Sequence, residues 1–186
     1  MNSCKILVGL GNPISKYNGT RHNIGSQCIQ WIANYYSIKL KLKKKIGYIG
    51  VYNQMYLLIP NTFINICGSS IFSALRIYNI KIKDMLIFHD ELDLSIGDVR
   101  FKNGIGHNGH NGLRNIIKNI GSGNIFKRIA IGIGRPLERS EIVEYVLSKF
   151  TYIEKNKIYE SIKSIIYNLN QLKKNWNSFS INRNLN

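Results

Sequence analysis

The sequence predicts a single-domain α/β fold, a three-layer sandwich in which helices flank a mixed, twisted β-sheet. Short apolar runs alternate with segments of helical periodicity along the 186 residues, and this alternation is typical of α/β folds. No internal repeat and no Pro- or Ser-rich linker divides the chain, and 44% hydrophobic residues is ordinary for a globular protein. We therefore expect one domain over residues 1–186.

The first half of the chain predicts a strand, a helix, a hairpin and a second helix. The run "KILVGL" (5–10) is typical of a buried strand that ends at glycines, and a helix follows whose predicted buried face is Ile24, Cys28, Trp31, Ile32 and Tyr35. The segments "IGYIGVYN" and "MYLLIP" are typical of paired strands. Either Ser69 or Ser70 is expected to cap the next helix, with Ile71, Leu75 and Tyr78 inward.

The second half predicts three more strands and three helices. The run "DMLIFHD" (84–90) indicates a buried strand, and another is expected near residues 97–102, before a loop rich in Gly, His and Asn. The next helix is expected to bury Leu113, Ile116, Ile117 and Ile120, and "FKRIAIGIG" (126–134) is a strand. Ser140 is expected to cap a helix with Val143, Val146 and Leu147 inward. The last helix should bury Ile158, Ile162, Ile165, Ile166, Leu169 and Leu172.

The charge indicates a polyanionic partner. A net charge of +16 and a pI near 9.9 are typical of nucleic-acid-binding proteins. The abundant Lys, Asn and Ile, as in "KLKLKKKIGYIG", are also the residues that A+T-rich codons favour. Codon usage is therefore an alternative explanation for much of the charge, and the sequence leaves the two explanations open.

Several classes of protein are disfavoured by composition. No apolar run reaches eighteen residues, so no membrane span is expected, and the first residues lack the pattern of a signal peptide. We therefore expect a cytoplasmic protein. The three cysteines, Cys4, Cys28 and Cys67, form no CxxC pair and are expected to be reduced core residues.

Polar, glycine-rich segments follow most of the predicted strands. They are "GNP" with His22 a little further on, "PNTFINICG", "HDELDL" and "NGIGHNGHNG". Binding sites of open α/β sheets form beyond the carboxyl ends of the strands. We therefore expect these segments to meet in one site.

The residues in these segments favour a hydrolase that activates water. No GxSxG motif is present, and no serine or cysteine lies in a recognisable activated context. Histidine is suited to act as a base at neutral pH, and an aspartate can orient it. His22, at a loop-to-helix boundary, and Asp90, at the end of a buried strand, fit this scheme, although a lone histidine at a helix start is more often structural.

Two cofactor interpretations are weaker. "GLGNPI" lacks the third glycine and the acidic residue of a dinucleotide fingerprint, so Gly9 and Gly11 are expected to allow a tight turn that exposes Asn12. "HDELD" with His107 and His110 could bind Zn or Mn. A flexible Gly-rich loop is poorly preorganised for that purpose, and Glu91 and Asp93 are expected to be solvated turn residues. The sequence therefore predicts neither a metal nor a cofactor.

Three asparagines follow strand-like runs: Asn12, Asn65 and Asn111. An amide side chain can both donate to a carbonyl and accept from an N–H, so it suits the binding of a peptide bond. Asn111 could instead be only the N-cap of the helix that follows.

Taken together, the motifs resemble those of the bacterial-type peptidyl-tRNA hydrolases. The segments "VGLGNP…Y…TRHNIG", "P.TF.N..G", "HDELDL", "G..GHNGHNGL" and "IGIGRP" occur in that family's order and spacing, across residues 7 to 136. The resemblance implies a monomeric α/β enzyme that needs no cofactor. Its substrate would be peptidyl-tRNA, whose ester between the peptide and the tRNA 3′ ribose it would cleave, thereby recycling tRNA.

The resemblance also implies roles for individual residues. His22 takes the role of catalytic base, Asp90 orients it, and Asn12 positions substrate or water and helps to stabilise the oxyanion. Further positions match substrate contacts: Asn65 and Asn111 at the peptide end, Tyr17 in the site wall, and Lys102, Arg100 and Arg139 toward the tRNA acceptor end.

Some positions depart from the family pattern. Ile14 and Asn108 stand where glycine is usual, Ile105 widens the loop, and Cys67 stands where Ser is common. Ala130 replaces a basic residue before "IGIG", which removes one expected tRNA contact, and Lys127, Arg128 and Arg135 are close enough in sequence to compensate.

Two other functions stay open: a non-catalytic RNA-binding module of the same fold, as in some organellar intron-splicing factors, and a metal-dependent nuclease or phosphatase.

Overall fold

The computed structural model describes residues 5–172, except residues 105 and 122. Cys4, Ile105 and the side chain of Leu172 lie outside the described part. Within it, one sheet contains seven strands in the order β2-β3-β4-β1-β5-β7-β6. The strands are β1 (Lys5–Gly9), β2 (Lys41–Lys43), β3 (Gly47–Tyr52), β4 (Met55–Ile59), β5 (Met85–Glu91), β6 (Val99–Gly104) and β7 (Phe126–Gly132).

The sheet is mixed, as the sequence predicts. The four central strands β4, β1, β5 and β7 run parallel, and antiparallel strands complete both sides: the β2–β3 pair beside β4, and β6 beside β7. The predicted hairpin is β3–β4, with Tyr48 opposite Ile59. β1 lies between β4 and β5. The chain passes from β1 to strands on one side of it and then crosses to β5 on the other side, and this reversal of strand order opens a crevice beyond the carboxyl end of β1.

Helices cover both faces of the sheet. They are α1 (Ile14–Tyr17), α2 (Ile24–Tyr35), α3 (Gly68–Ile77), α4 (Asn111–Ile120), α5 (Ile142–Leu147) and α6 (Tyr152–Leu172). Short 3₁₀ turns occupy Arg21–Asn23, Ile64–Ile66, Ile82–Asp84 and Arg139–Glu141. One apolar core lies between the sheet and α2 with α6, and a second lies between the sheet and α3 with α4. The predicted three-layer α/β sandwich is confirmed.

Helix caps were the weakest of the sequence predictions. Ser69 and Ser70 lie inside α3, whose N-cap is Cys67, and the buried Ser70 hydroxyl instead donates to the carbonyl of Ile46. Ser140 lies in the 3₁₀ turn before α5, and Glu141 takes the cap position. A serine caps a helix only where the chain enters at the right angle, which its spacing to apolar residues does not specify.

Two predicted helix faces need correction at their edges. In α2, Trp31 and Tyr35 are 37% and 61% exposed, and Ile29 and Ala33 complete the buried face instead. In α5, Val143 and Leu147 are 70% and 37% exposed, and no residue of this helix is fully buried. Aromatic and β-branched residues at the edge of the apolar face of a helix fit the helical spacing, although they lie beside the core rather than in it. The two cysteines within the described residues, Cys28 and Cys67, are buried free thiols, as expected.

Gly9 and Gly11 serve close packing rather than a tight turn. Neither has a positive φ. A Cβ on Gly9 would collide with the carbonyl oxygen of Gly25, and one on Gly25 would collide with that of Phe88. The backbone of α2 therefore rests directly on β1 and β5, which places the residues just before α2 at the ends of these strands.

None of the helices within residues 5–172 has the length and apolar character that crossing a bilayer requires.

Candidate active site

Four segments meet beyond the carboxyl ends of β1 and β5. Asn12 follows β1, the 3₁₀ turn Arg21–Asn23 carries His22, Asp90 lies near the end of β5, and His110 precedes α4. Two glycine-mediated contacts hold α2 against both strands, so the turn before it has little freedom. The strand-end convergence that the sequence predicts is therefore realised for these residues.

His22 and Asp90 form a direct hydrogen bond. Nδ1 of His22 lies 2.8 Å from Oδ2 of Asp90, and their side chains are 15% and 3% exposed. A carboxylate accepts only, so Nδ1 carries the proton and Nε2 keeps its lone pair. Burial lowers the pKa of His22, but the charge and hydrogen bond of Asp90 outweigh it, so this pKa is raised overall.

His110 forms a hydrogen bond with the second oxygen of the Asp90 carboxylate. Its Nδ1 accepts the N–H of Leu113 at 3.2 Å, which makes it the N-cap of α4. Its Nε2 must therefore carry the proton, and it donates to Oδ1 of Asp90 at 2.9 Å. Burial alone would raise the pKa of Asp90, but the two histidines hold it well below its usual range.

His89 is a further member of the cluster. It is buried, its Nδ1–H donates to the backbone carbonyl of Asp90 at 2.7 Å, and its ring packs edge-on against His110 at 5.3 Å. Burial, together with the neighbouring His110, lowers the pKa of His89 to about 3, so it stays neutral. The sequence predicted no separate role for His89. Strand alternation places its side chain on the face of the sheet opposite to that of Asp90.

Asn12 is buried, with 6% of the residue exposed, contrary to the prediction of an exposed position, and it is fixed through both its backbone and its side chain. Asn23, fully buried, accepts from the N–H of Asn12 and donates to its carbonyl, each at 2.9 Å. Oδ1 of Asn12 accepts the N–H of Ile64 at 3.0 Å. The side-chain carbonyl is thus engaged, and the amide NH₂ is the group that Asn12 can offer to a ligand.

The loop after β4 and the residues before α2 form one wall of the cleft. Tyr17 packs edge-on against Phe63 at 6.3 Å, and Phe63 is half exposed. Asn65 follows Ile64, the residue that is bound to Asn12, and its side chain is exposed. Sequence reasoning did not single out Phe63, although an exposed aromatic residue within "PNTFINICG" is a signal for a binding surface.

Asn111 is not the N-cap of α4, since His110 takes that position. Asn111 is the first residue of the helix, is exposed, and accepts a hydrogen bond from Arg114 at 3.1 Å. It lies next to His110 and therefore at the edge of the histidine–aspartate cluster. The structure thus leaves its side chain accessible at the mouth of the cleft.

The basic residues lie in two places. Arg100 and Lys102 occupy alternate positions on the edge strand β6 and so share one face of it. Arg100 is exposed and borders a groove of about 900 Å³ between β6 and α6, whereas the ammonium of Lys102 pairs with Glu91. Arg139 is exposed on the turn before α5.

The residues of the predicted metal alternative converge only in part: Asp90 and His110 meet, whereas Glu91, Asp93 and His107 have other partners. Glu91 is not a solvated turn residue, because it is buried in β5 and paired with Lys102. Asp93 is exposed and pairs with Arg135, and Nδ1 of His107 accepts from Gly109. His22, Asp90 and His110 do offer ligand atoms within 4.8 Å of one another. The His22–Asp90 and His110–Asp90 contacts both have hydrogen-bond lengths. A cation between these side chains would therefore have to displace the two protons that form the bonds.

Two departures from the family pattern, Asn108 and Ala130, can be placed in the structure. Asn108 has φ +46°, a conformation that Asn tolerates better than most residues other than glycine. Ala130 is buried in β7 opposite Arg100. Arg128 is also buried, and its guanidinium donates to the carbonyl of Gly106. Arg128 therefore supports the loop before α4 and cannot replace the missing basic residue, contrary to expectation.

The fold and this cluster define an α/β protein with a histidine–aspartate pair in a strand-end cleft, an arrangement by which hydrolases activate water. The chain belongs to the peptidyl-tRNA hydrolase family, whose model matches residues 6–184. The expectation of an enzyme of this family is confirmed.

Relatives and solved structures agree over most of the chain. The peptidyl-tRNA hydrolase of Buchnera aphidicola subsp. Cinara cedri is 41% identical over 172 residues, which cover 90% of each chain. That of Haemophilus ducreyi is 43% identical over 156 residues, covering 80% of this chain and 79% of its own. The crystal structure of the Acinetobacter baumannii peptidyl-tRNA hydrolase matches with a TM-score of 0.83 at 35% identity, covering 97% of this chain and 98% of that chain.

Proposed function

We propose that this chain hydrolyses the ester between the peptide and the 3′ ribose of tRNA in peptidyl-tRNA, with His22 as general base and Asp90 as the group that orients it. The observation that carries the proposal is the 2.8 Å contact between Nδ1 of His22 and Asp90. That contact fixes the tautomer in which Nε2 is free to take a proton. Membership in the family supports the substrate class.

The reaction follows from these groups. Nε2 of His22 takes a proton from water as the water oxygen attacks the ester carbonyl carbon. The Asn12 amide donates to the oxyanion that develops on the carbonyl oxygen. The tetrahedral intermediate collapses and the C–O bond to the ribose breaks. The ribose oxygen receives the proton from His22 or from water, which leaves a free peptide carboxylate and tRNA.

The substrate is proposed to lie across the cleft. Tyr17, Asn65 and Asn111 would contact the peptide end, because all three border the cluster and the two asparagines have exposed amides. Lys102 and Arg100 on β6, with Arg139, would face the phosphates of the acceptor end. A net charge of +16 favours such binding. The protein would act as a single-domain monomer in the cytoplasm, where peptidyl-tRNA forms.

The test is hydrolysis of an N-blocked aminoacyl-tRNA by the purified protein. We expect release of free tRNA, unaffected by chelators, and at least a roughly 10²-fold lower kcat in His22→Ala. Binding of tRNA by this variant, measured by filter binding, should be retained. Near-normal turnover in His22→Ala would refute the mechanism, loss of activity on chelation would favour the metal alternative, and tRNA binding without turnover in the wild type would favour a binding module.

A further inference from the structure

Arg21 is buried beside His22 and takes no part in the mechanism above. Only 5% of the residue is exposed. Both oxygens of Glu154 accept from its Nη2, at 3.0 and 2.9 Å, and Ser148 Oγ accepts from Nε at 3.1 Å. Its guanidinium also lies 4.4 Å from the ring centre of Tyr145 and 4.9 Å from that of Phe150.

The backbone around Arg21 is attached to the same segment. The N–H of Arg21 donates to the carbonyl of Ser148 at 2.9 Å, and Thr20 forms an isolated antiparallel bridge with Lys149. Glu154 in turn accepts from the N–H of Thr151 at 2.7 Å, while Thr151 Oγ1 accepts from the N–H of Glu154 at 3.3 Å. This reciprocal pair is a capping box at the start of α6. The anchor is therefore itself rigid.

The turn that carries His22 is held on both flanks: by α2 and the Asn23–Asn12 hydrogen bonds on its C-terminal flank, and by Arg21 on its N-terminal flank. Arg21–Asn23 is a single 3₁₀ turn, with too few internal hydrogen bonds to set the direction of a side chain. Asp90 holds His22 from the β5 side only. The guanidinium donates from two nitrogens to different acceptors, Nη2 to Glu154 and Nε to Ser148, and stacks on rings at the same time, which an ammonium cannot do. The contacts of Arg21 thus fasten the turn to residues 145–154, independently of Asp90.

We propose that Arg21 is a positioning residue for catalysis: it fastens the His22 turn to the start of α6, so that Nδ1 of His22 stays on Asp90 while substrate binds. The inference rests on the proposed role of His22 as the base. A shift of His22 by a fraction of the 2.8 Å contact would misdirect Nε2 toward the attacking water. The same contacts tie residues 145–154 to the segment that carries the base.

The test replaces the ion pair without leaving a buried charge. Loss of one partner alone would strand the other and destabilise the fold for that reason, so the informative variant is Arg21→Met with Glu154→Gln. Arg21→Lys is the conservative comparison, because it keeps the charge but loses the separate donor to Ser148 and the planar group that stacks on the rings. Ser70→Ala is the stability control, since it removes a buried hydrogen bond on α3, away from the cluster.

We expect the double variant to lose about 10- to 100-fold in kcat with N-blocked aminoacyl-tRNA, with KM changed by less than about twofold. Arg21→Lys should fall between it and the wild type. The ¹⁵N–¹H spectrum of the histidine rings should show loss of the defined Nδ1–H state of His22. Ser70→Ala should keep kcat and this signal.

Two results would overturn the inference. One is a double variant whose kcat and His22 signal match those of Ser70→Ala, which would leave Arg21 a purely structural residue. The other is a rise in KM at constant kcat, which would make the anchor a determinant of binding. If His22→Ala keeps its turnover, the proposed function fails separately. The ring spectrum would then still report whether Arg21 orients His22.

Discussion

Nε2 of His110 lies 2.9 Å from Oδ1 of Asp90, on the oxygen that His22 leaves open. Because Nδ1 of His110 caps α4, the proton of that ring is confined to Nε2. Asp90 therefore receives one N–H on each oxygen, and these two hydrogen bonds fix the orientation of its carboxylate. The tautomer of the candidate base thus depends on a helix cap that lies 88 positions further along the chain.

His110→Asn separates the two bonds that His110 makes. Asparagine is a good N-cap, so the N–H of Leu113 stays satisfied, but its shorter side chain leaves Oδ1 of Asp90 without its donor. An unsatisfied buried acceptor costs about 1–3 kcal/mol. We expect a lower melting temperature and a kcat reduced by about tenfold or more. His110→Ala should be less stable still, because it also removes the cap. Equal kcat in His110→Asn and the wild type would show that Asp90 needs only His22.

Asp90→Asn tests the pH dependence. The base must be neutral to act, and the pKa of His22 is raised above 6.5, so activity should fall as the pH drops through that raised value. Without the carboxylate only burial remains, and burial lowers the pKa of His22. The acid limb of kcat should therefore move to lower pH, while the plateau falls by up to roughly 10⁴-fold because the tautomer is no longer fixed. The pH profiles of kcat for both proteins give the measurement, and an unshifted limb would contradict the assignment.

Asn12→Asp tests the oxyanion role of the amide. The new carboxylate can still accept the N–H of Ile64, so the loop after β4 stays in place, but the donor is lost. Removal of one oxyanion donor typically lowers kcat by about 10²–10³-fold. Asn12→Ala should lower kcat similarly and should also loosen the loop. Single-turnover rates with N-blocked aminoacyl-tRNA measure the effect, and a rate within about twofold of wild type in Asn12→Asp would refute it.

Arg100 and Lys102 should differ as tRNA contacts. Arg100 is exposed, so Arg100→Ala should weaken tRNA binding and reduce the salt slope of log K by roughly 1. Lys102 neutralises the buried Glu91. In Lys102→Ala the Glu91 carboxylate would lose this partner and repel the tRNA phosphates, so this variant should bind tRNA more weakly than Arg100→Ala does. Lys102→Ala with Glu91→Gln is the matched control and should recover part of the loss. Filter binding across a salt series measures all of these; no change in slope in any variant would count against the basic strand edge as the tRNA contact.

The sequence predicts the architecture well because its signals are periodic. Buried strands such as "DMLIFHD" read as continuous apolar runs, and α6 repeats its isoleucines at helical spacing. Both elements lie where expected. His22 and Asp90 are 68 positions apart. His22 lies beyond β1 and Asp90 at the end of the parallel strand β5, so the rule that sites form at strand ends was enough to pair them.

Other features depend on contacts that no local pattern encodes. Arg21 meets Glu154, 133 positions away, and nothing near "TRHN" indicates that partner. Glu91 and Asp93 belong to the same motif, but one is buried in β5 and the other is exposed, because the strand ends between them. Arg128 looks like a surface charge in "FKRIAIGIG", yet strand alternation turns it toward the loop before α4.

The contact between Gly9 and Gly25 also bears on how the molecule opens. Since the backbone of α2 touches β1 and β5 with no side chain between them, the helix cannot lift away without exposing the central strands. We therefore expect the segment beside His22 to open together with the central strands, whereas loop-borne sites usually exchange through local opening. Amide hydrogen exchange of Cys28 and Ile29 should occur only through global unfolding, at the same free energy as the amides of β5.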